Sequence, residues 1–250
     1  GGLYYADLVN ITVRFANGTR GVISFEEKTP MKDMTLAHMF IDIGAKNAEE
    51  AKKLVQIGDF AVFEAPRFEQ NGVLCGPYLD NRIGCVTLLL MMEQLAEAET
   101  ENDLYFVFTA QEEVGLRGAG AAAFAVEPDV AIAVDVTHGR TPDGPSDGVF
   151  DLGSGAAIGM GPNLHRGLTK AIIRTAKAND IDYTLEIMEG DTGTNAWTMQ
   201  IVGRGIACAL LSIPQKYMHT PVEVISLSDV EAVADLMAAF LREFDGEVSA

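Results

Sequence analysis

The chain has 250 residues, of which 48% are hydrophobic, so it can form a sizeable core and is not globally disordered. Its formal net charge of −18 argues against nucleic acid or an anionic membrane as a partner, because binding phosphates requires lysine and arginine. The chain has no apolar stretch of the ~18 residues that span a membrane and no visible signal peptide. Its three cysteines lie outside any CxxC spacing. The sequence therefore predicts a cytoplasmic protein.

The first part of the chain reads as a small β-rich module. Two short alternating segments, 9–15 and 20–25, flank an Asn-Gly pair that is typical of a hairpin turn. A strand-like MFIDIGA, a short helix in AKNAEEAKKLV and two further strands before residue 76 follow. No strand–helix–strand alternation is present here, so we place a β-rich module at residues 1–72.

From residue 73 to residue 250 strands and helices alternate. This pattern predicts an α/β fold with a mostly parallel sheet covered by helices on both faces, and we treat 73–250 as one domain. Ser228 and Glu231 predict a capping box for the last helix. The predicted strands are 104–110, 130–136, 156–160, 182–188 and 206–213, and the predicted helices are 83–98, 116–124, 163–179, 195–202 and one after residue 227.

Acidic residues and one histidine lie at the ends of these predicted elements. Glu112 and Glu113 follow strand 104–110, Asp80 precedes helix 83–98, Asp135 ends strand 130–136, and His219 lies beyond strand 206–213. Open α/β sheets bind ligands at the carboxyl ends of their strands, so these side chains are expected to meet at one edge. Oxygen and imidazole ligands without thiolate suit zinc, cobalt or manganese.

Each of these residues also has a structural interpretation. The Glu112–Glu113 pair could be an exposed acidic turn, Asp80 could be the N-cap of the following helix, and His219 could be a surface loop residue. Asp135 has no helix to cap, and a buried carboxylate without a basic partner is costly, which favours a metal ligand. Adjacent acids can divide two tasks, because one can bind metal while its neighbour acts as a base on water.

The motifs LDNRIG, TAQEEVGLRGA, AVDVTHG and SIPQKYMHTPVEVISLSDVE resemble, in order and spacing, the dinuclear zinc aminopeptidases of the TET type. These enzymes are also described as glutamyl or deblocking aminopeptidases, and some relatives are labelled endoglucanases. The resemblance implies two divalent metal ions, most often zinc, and peptide substrates. It assigns Asp80 as the bridging ligand, Glu113 and His219 to one metal, Asp135 to the other and Glu112 as the general base. The resemblance also implies that module 1–72 is β-barrel-like and that 73–250 is the metallopeptidase catalytic domain. It further implies a homo-oligomer, either a dimer or a dodecamer.

The sequence departs from the family pattern in two places. The family's second metal also takes a His from an HxD motif that precedes the β-rich module, and no HxD occurs in this chain. We therefore expect that an N-terminal part of the catalytic domain is missing, and that the chain as given would hold one of the two metals poorly. The alternative is a degenerate, non-catalytic subunit. A glycoside hydrolase is less favoured, because adjacent glutamates are poorly placed to flank a glycosidic bond. Asn195 stands where the family usually has Asp in the substrate cleft.

Overall fold

The structure, a computed structural model, describes residues 2–247 as two β-sheets with helices packed mainly on the larger one. The smaller sheet is antiparallel and has the strand order β3-β2-β1-β4. It is an open sheet in the part of the chain that is described, so the predicted barrel-like closure is wrong. Its strands are β1 (Thr12–Phe15), β2 (Arg20–Phe25), β3 (Met39–Asp42) and β4 (Ala61–Phe63).

The predicted hairpin in the smaller sheet is confirmed. Asn17 Oδ1 accepts a hydrogen bond from the Thr19 N–H at 2.9 Å, and Gly18 has a φ of +90°, which favours glycine. Alternate residues of the two strands face a small core that contains Val13 and Ile23. The turn and the alternation therefore specify this part of the fold locally.

The larger sheet has seven strands, in the order β5-β6-β11-β10-β8-β9, with β7 paired to the other side of β10. Only the β7–β10 and β8–β9 pairs are parallel, so the sheet is mixed and the prediction of a mostly parallel sheet is wrong. No helix separates β10 from β11, and a chain that reverses directly forms antiparallel neighbours. No helix separates β7 from β8 either, and β8 pairs antiparallel with β10. The strands are β5 (Phe68–Gln70), β6 (Val73–Gly76), β7 (Val130–His138), β8 (Ala156–Met160), β9 (Tyr183–Ile187), β10 (Ala207–Lys216) and β11 (Glu223–Ser226).

Helices cover both faces of this larger sheet. Successive residues of β10 point to opposite faces: Leu211 belongs to the main core with α2, α4 and α6, whereas Leu210 packs with Ala196 of α5. The double covering that the alternation predicted is thus confirmed. The helices are α1 (Ala48–Leu54), α2 (Leu79–Leu95), α3 (Arg117–Val126), α4 (Arg166–Ala178), α5 (Asn195–Met199) and α6 (Leu227–Glu243).

Helix α6 begins differently from the prediction. Its N-cap is Ser226, whose side chain makes no capping hydrogen bond to the backbone and instead hydrogen-bonds the Ser228 hydroxyl at 2.8 Å. The predicted capping box of Ser228 and Glu231 is therefore wrong. Asp229 on the first turn is fully buried and accepts hydrogen bonds from the N–H groups of Gly153 and Gly155, both at 2.8 Å.

The predicted strand 104–110 is not a strand in the structure. Its side chains alternate as a strand's would, with Leu104 and Phe106 packed against the main core and Tyr105 and Val107 exposed. However, residues 103–109 make no backbone hydrogen bond to another strand in the part of the chain that is described. The segment has the alternation of a strand, but a strand also requires a hydrogen-bonded neighbour.

The predicted boundary at residue 72 lies inside the β5–β6 hairpin, and both strands of that hairpin belong to the larger sheet. The sheets therefore divide between β4 and β5, and the separation into two domains stays a prediction. Cys75 and Cys208 are buried, as expected for core thiols, but Cys85 is exposed on α2. Within residues 2–247, no helix is both long and apolar enough to cross a membrane.

Candidate metal centre

Three of the predicted ligands converge at one end of the larger sheet. His219 Nε2 lies 3.2 Å from Asp80 Oδ2 and 3.4 Å from Glu113 Oε2. One ligand atom from each of the three residues lies within 4.8 Å of the other two. Residues 80, 113 and 219 are far apart in the chain, so their meeting is a product of the fold. A single cation could contact all three.

Asp80 lies at a kink before the regular part of α2. Its backbone is not helical (φ −75°, ψ 119°), and it is Asn81 that caps the helix by accepting the Gly84 N–H through Oδ1 at 3.0 Å. Asn81 also donates through Nδ2 to the Val134 carbonyl at 2.8 Å, which ties the kink to β7. The alternative interpretation of Asp80 as an N-cap is therefore not needed, and its carboxylate is available to the site.

The two other members of the group lie in tight turns. Glu113 belongs to the turn between residue 111 and α3, in which the Glu112 carbonyl accepts the N–H groups of Gly115 and Leu116 at 3.0 and 2.8 Å. His219 lies in the turn between β10 and β11 and has a φ of +61°. A left-handed backbone is uncommon for a residue other than glycine and costs free energy. In this conformation the His219 imidazole lies against the carboxylates of Asp80 and Glu113.

Asp135 lies close to the group of three without joining it. It is on β7, is 6% exposed and accepts the Val136 N–H through Oδ1 at 3.0 Å. Burial, followed by the charge of Glu112, raises the pKa of Asp135 from 3.8 to about 7. Because the Asp135 carboxylate interacts electrostatically with Asp80 and Glu113 as well, it lies near them. Its role as a ligand stays a prediction.

The carboxylates of the site repel one another. Burial, together with the charges of Glu113, Asp135 and Glu223, raises the pKa of Asp80 from 3.8 to about 8. Burial and the neighbouring Glu113 also raise the pKa of Glu112. In residues 2–247, neither Asp80 nor Asp135 has an ion pair with lysine or arginine. Carboxylates gathered in this way need protons or a cation, and the oxygen and imidazole donors fit a divalent metal such as zinc.

Two glutamates near the site, Glu186, which is half-buried, and Glu223, which is buried, were not identified from the sequence. Glu186 on β9 accepts hydrogen bonds from the hydroxyls of Thr137 and Ser212, and burial raises the pKa of this carboxyl. Glu223 on β11 accepts the N–H groups of Leu79 and Asp80. Both are acids inside short β-type segments, YTLEI and EVIS, and that placement is the signal that could have revealed them.

Asn195 lies beside the segment that leads to Glu112. Its Nδ2 donates to Thr109 Oγ1 at 3.1 Å, while its Oδ1 is buried and has no hydrogen-bond partner in the part of the chain that is described. An asparagine here thus keeps a free acceptor atom close to the site. His38, by contrast, caps its own short turn through Thr35 and is structural.

Comparison with known proteins identifies the family. The sequence profile of the M42 glutamyl aminopeptidases matches residues 1–236. The chain belongs to this family. The M42 aminopeptidases are hydrolases of peptide bonds, and the predicted resemblance is therefore confirmed. The mixed α/β architecture described above is that of the family's solved structures.

Individual relatives agree with this assignment. The lysyl aminopeptidase of Pyrococcus furiosus is 39% identical over 208 residues, which cover 82% of this chain and 59% of that protein. A TET aminopeptidase from the archaeon Thaumarchaeota SCGC AB-539-E09 has a TM-score of 0.89 at 31% identity, covering 98% of this chain and 73% of that one. The TET1 peptidase of Pyrococcus horikoshii has a TM-score of 0.79 at 30% identity, covering 98% and 75%. This chain spans less than two thirds of the lysyl aminopeptidase.

Proposed function

We propose that this protein is a metal-dependent aminopeptidase that removes N-terminal residues from peptides. The observation that carries the proposal is the convergence of Asp80, Glu113 and His219 with ligand atoms within 4.8 Å, directly beside the second acid Glu112. Membership of the M42 family supplies the reaction class. The site supplies the residues that would perform it.

The acidic residues and the histidine would divide between binding and proton transfer. Asp80, Glu113 and His219 would hold one divalent cation, and Asp135 would serve a second cation that shares Asp80. When bound, such ions act as Lewis acids toward the scissile carbonyl and make water more acidic. Zinc is the ion we expect first, with cobalt and manganese as alternatives, because all three accept oxygen and imidazole ligands.

Glu112 would act as the general base. Its neighbour Glu113 belongs to the group of three, and adjacent side chains diverge, so Glu112 can face a water molecule that Glu113 does not contact. Burial and the charge of Glu113 raise the pKa of Glu112, which brings this carboxyl closer to the neutral range in which proton transfer in both directions is efficient. Glu112 would take a proton from the attacking water and pass it to the leaving amine.

The alternatives have less support. A non-catalytic subunit, suggested by the absent HxD motif, would not need carboxylates gathered with raised pKa values around an imidazole. A glycoside hydrolase needs two carboxyls about 5–9.5 Å apart on either side of a glycosidic bond, whereas the family match points to peptides. An assay of aminopeptidase activity separates these alternatives.

Partners and location are proposed from the same relatives. The Pyrococcus horikoshii TET1 peptidase can assemble into a tetrahedron or a large octahedral shell, and we expect this protein to form a homo-oligomer as well. Peptides are the expected substrates. The cytoplasmic location stays a prediction.

The test is hydrolysis of aminoacyl chromogenic amides before and after metal removal. Protein dialysed against a chelator should lose activity, and stoichiometric zinc, cobalt or manganese should restore it. A matched N-acetylated amide should not be cleaved, because an aminopeptidase requires a free N-terminus. Absence of activity in metal-loaded, folded, full-length protein would contradict the proposal, and persistence of activity after complete metal removal would contradict the metal's role.

A further inference from the structure

Glu223 is a buried carboxylate that contacts the segments carrying two proposed ligands. It lies at the start of β11 and is 3% exposed. Its Oε2 atom accepts the Leu79 N–H at 2.6 Å and the Asp80 N–H at 3.1 Å. The same carboxylate accepts a hydrogen bond from the backbone N–H of His219. One side chain therefore binds the peptide groups of both Asp80 and His219.

The sheet explains how one residue reaches both segments. In the antiparallel β6–β11 pair, Glu223 is opposite Gly76, the last residue of β6. Leu79 and the kink of α2 follow Gly76 by three residues. In the turn before β11, His219 precedes Glu223 by four residues. The two ligand-bearing segments thus leave the same end of one strand pair, and Glu223 lies between them.

A carboxylate at this position is costly, because burial disfavours its charged form and raises the pKa of Glu223. The three backbone N–H donors stabilise the charged form and lower this pKa. Glu223 also adds to the negative charge that acts on Asp80. Packing alone would be served better by an apolar residue of the same size. What the carboxylate provides is a charged acceptor that fixes two peptide groups relative to each other.

We infer that Glu223 is a positioning residue, which sets the distance between the Asp80 carboxylate and the His219 imidazole and so tunes the affinity of the site for a divalent cation. This inference rests on the proposed function, because it requires that Asp80 and His219 bind metal. Glu223 is not among the three residues whose ligand atoms converge. Substitution of outer residues that orient metal ligands typically weakens metal binding by about 10–100-fold.

The fold offers a matched control in Asp229. It is also a fully buried carboxylate that accepts two backbone N–H groups, those of Gly153 and Gly155. Burial raises the pKa of Asp229 as it does that of Glu223. Its contacts join α6 to the loop before β8, and none of its described contacts is with Asp80, Glu113 or His219. Removing its charge tests the general cost of losing a buried, backbone-bound carboxylate.

The experiment compares Glu223→Gln, Glu223→Ala and Asp229→Asn with the unmodified protein. Zinc affinity is measured by competition with a chromophoric chelator, and the ligand field by the visible spectrum of the cobalt-loaded protein. Glu223→Gln, which keeps a neutral acceptor, should weaken zinc binding by about 10-fold and Glu223→Ala by up to about 100-fold. Both should change the cobalt spectrum, and amide exchange at Leu79, Asp80 and His219 should accelerate without metal. Asp229→Asn should change none of these.

The outcomes separate the two proposals. If the unmodified protein binds neither zinc nor cobalt, the proposed function is contradicted and this inference with it. If the unmodified protein binds metal but Glu223→Gln and Asp229→Asn match it in affinity and in cobalt spectrum, the inference alone is overturned. Should Glu223→Ala not fold, Glu223→Gln decides, because it retains the side chain's volume and one acceptor oxygen.

Discussion

The two sheets treat buried or partly buried acids in opposite ways. In the smaller sheet, Glu64 is paired with two arginines, at 3.0 Å from Arg14 and 2.9 Å from Arg20. At the end of the larger sheet, Asp80 and Asp135 have no lysine or arginine ion pair within the described chain, and their pKa values rise to about 8 and about 7. The first arrangement neutralises an acid with protein cations, and the second leaves it to protons or a metal.

This difference distinguishes a structural acid from a functional one better than sequence position does. Both Glu64 and Glu113 lie next to apolar segments of a chain with a net charge of −18, so their sequence positions do not distinguish them. The surroundings decide their roles. An acid that the fold has supplied with arginine needs nothing more, whereas carboxylates collected around one imidazole lower the free energy of a cation that enters between them.

The largest effect is expected from the proposed base. Glu112→Gln should reduce kcat for an aminoacyl amide by about 10²–10⁴-fold, because the amide cannot accept the proton from water. Zinc content, measured by elemental analysis, should stay the same, since Glu112 is not among the three converging ligands. Glu93→Gln on the exposed face of α2 is the matched control and should leave kcat unchanged. A large loss of zinc in Glu112→Gln would instead make this residue a ligand.

The next largest effect is expected at Asp80, a proposed ligand whose charge should lower the stability of the metal-free protein. Asp80→Asn should weaken zinc binding by more than the ~10–100-fold of an outer residue, because it removes a direct donor. The same change should raise the melting temperature of the metal-free protein at pH 8, since it removes a buried charge that repels Glu113 and Asp135. Calorimetry in a chelator and in zinc measures both. A fall in metal-free stability would contradict the idea that Asp80 is an uncompensated acid.

A smaller, pH-dependent effect follows from the raised pKa values. Between about pH 4 and pH 8 the folded, metal-free protein binds more protons than the unfolded chain, because the folded pKa values of Asp80, about 8, and Asp135, about 7, exceed 3.8. The free energy of unfolding should therefore decrease as the pH rises through this range. Thermal unfolding in a chelator at pH 5 and pH 8 checks the sign. Saturating zinc should remove or reverse the difference, because the cation competes with the protons.

The smallest effect is expected in the smaller sheet. Glu64→Gln removes the acid that pairs with Arg14 and Arg20, both of which are substantially exposed. Exposed ion pairs contribute about 0.2–1 kcal/mol and are screened by salt, so the loss of stability should be within this range and shrink at 1 M salt. Zinc affinity should not change. A change in zinc affinity comparable to that of Asp80→Asn would remove the distinction between the two regions.

Much of this arrangement could be predicted from the sequence, because the relevant signals are local. The Asn17-Gly18 turn and the alternation of strands and helices after residue 73 each depend on neighbouring residues. The structure confirms the turn and the helices on both faces of the larger sheet. The choice of Asp80, Glu113 and His219 also depended on local features, namely polar residues just beyond predicted elements, and these three do converge.

The failures concern interactions between distant segments. Segment 104–110 has the alternation of a strand, but whether it pairs depends on a neighbour that its own residues do not specify. The orientation of β8 and β11 depends on the absence of a crossover helix, which the alternation pattern obscured. Glu186 and Glu223 were missed because an acid within a strand segment is ordinarily solvent-exposed. Only the packed sheet shows that Glu223 is buried and that Glu186 is half-buried, with both carboxylates accepting hydrogen bonds near the site.

The long pairing of β7 with β10 has a consequence for the evolution of this site. Nine consecutive residues are in parallel register, with Asp135 opposite Ser212. Because side chains alternate between faces, a shift of one residue would move Asp135 to the opposite side of the sheet, so no gradual displacement is available to it. An insertion or deletion in either strand should therefore remove the Asp135 carboxylate from the site in a single step. Substitutions elsewhere in the two strands would leave the position of this carboxylate unchanged.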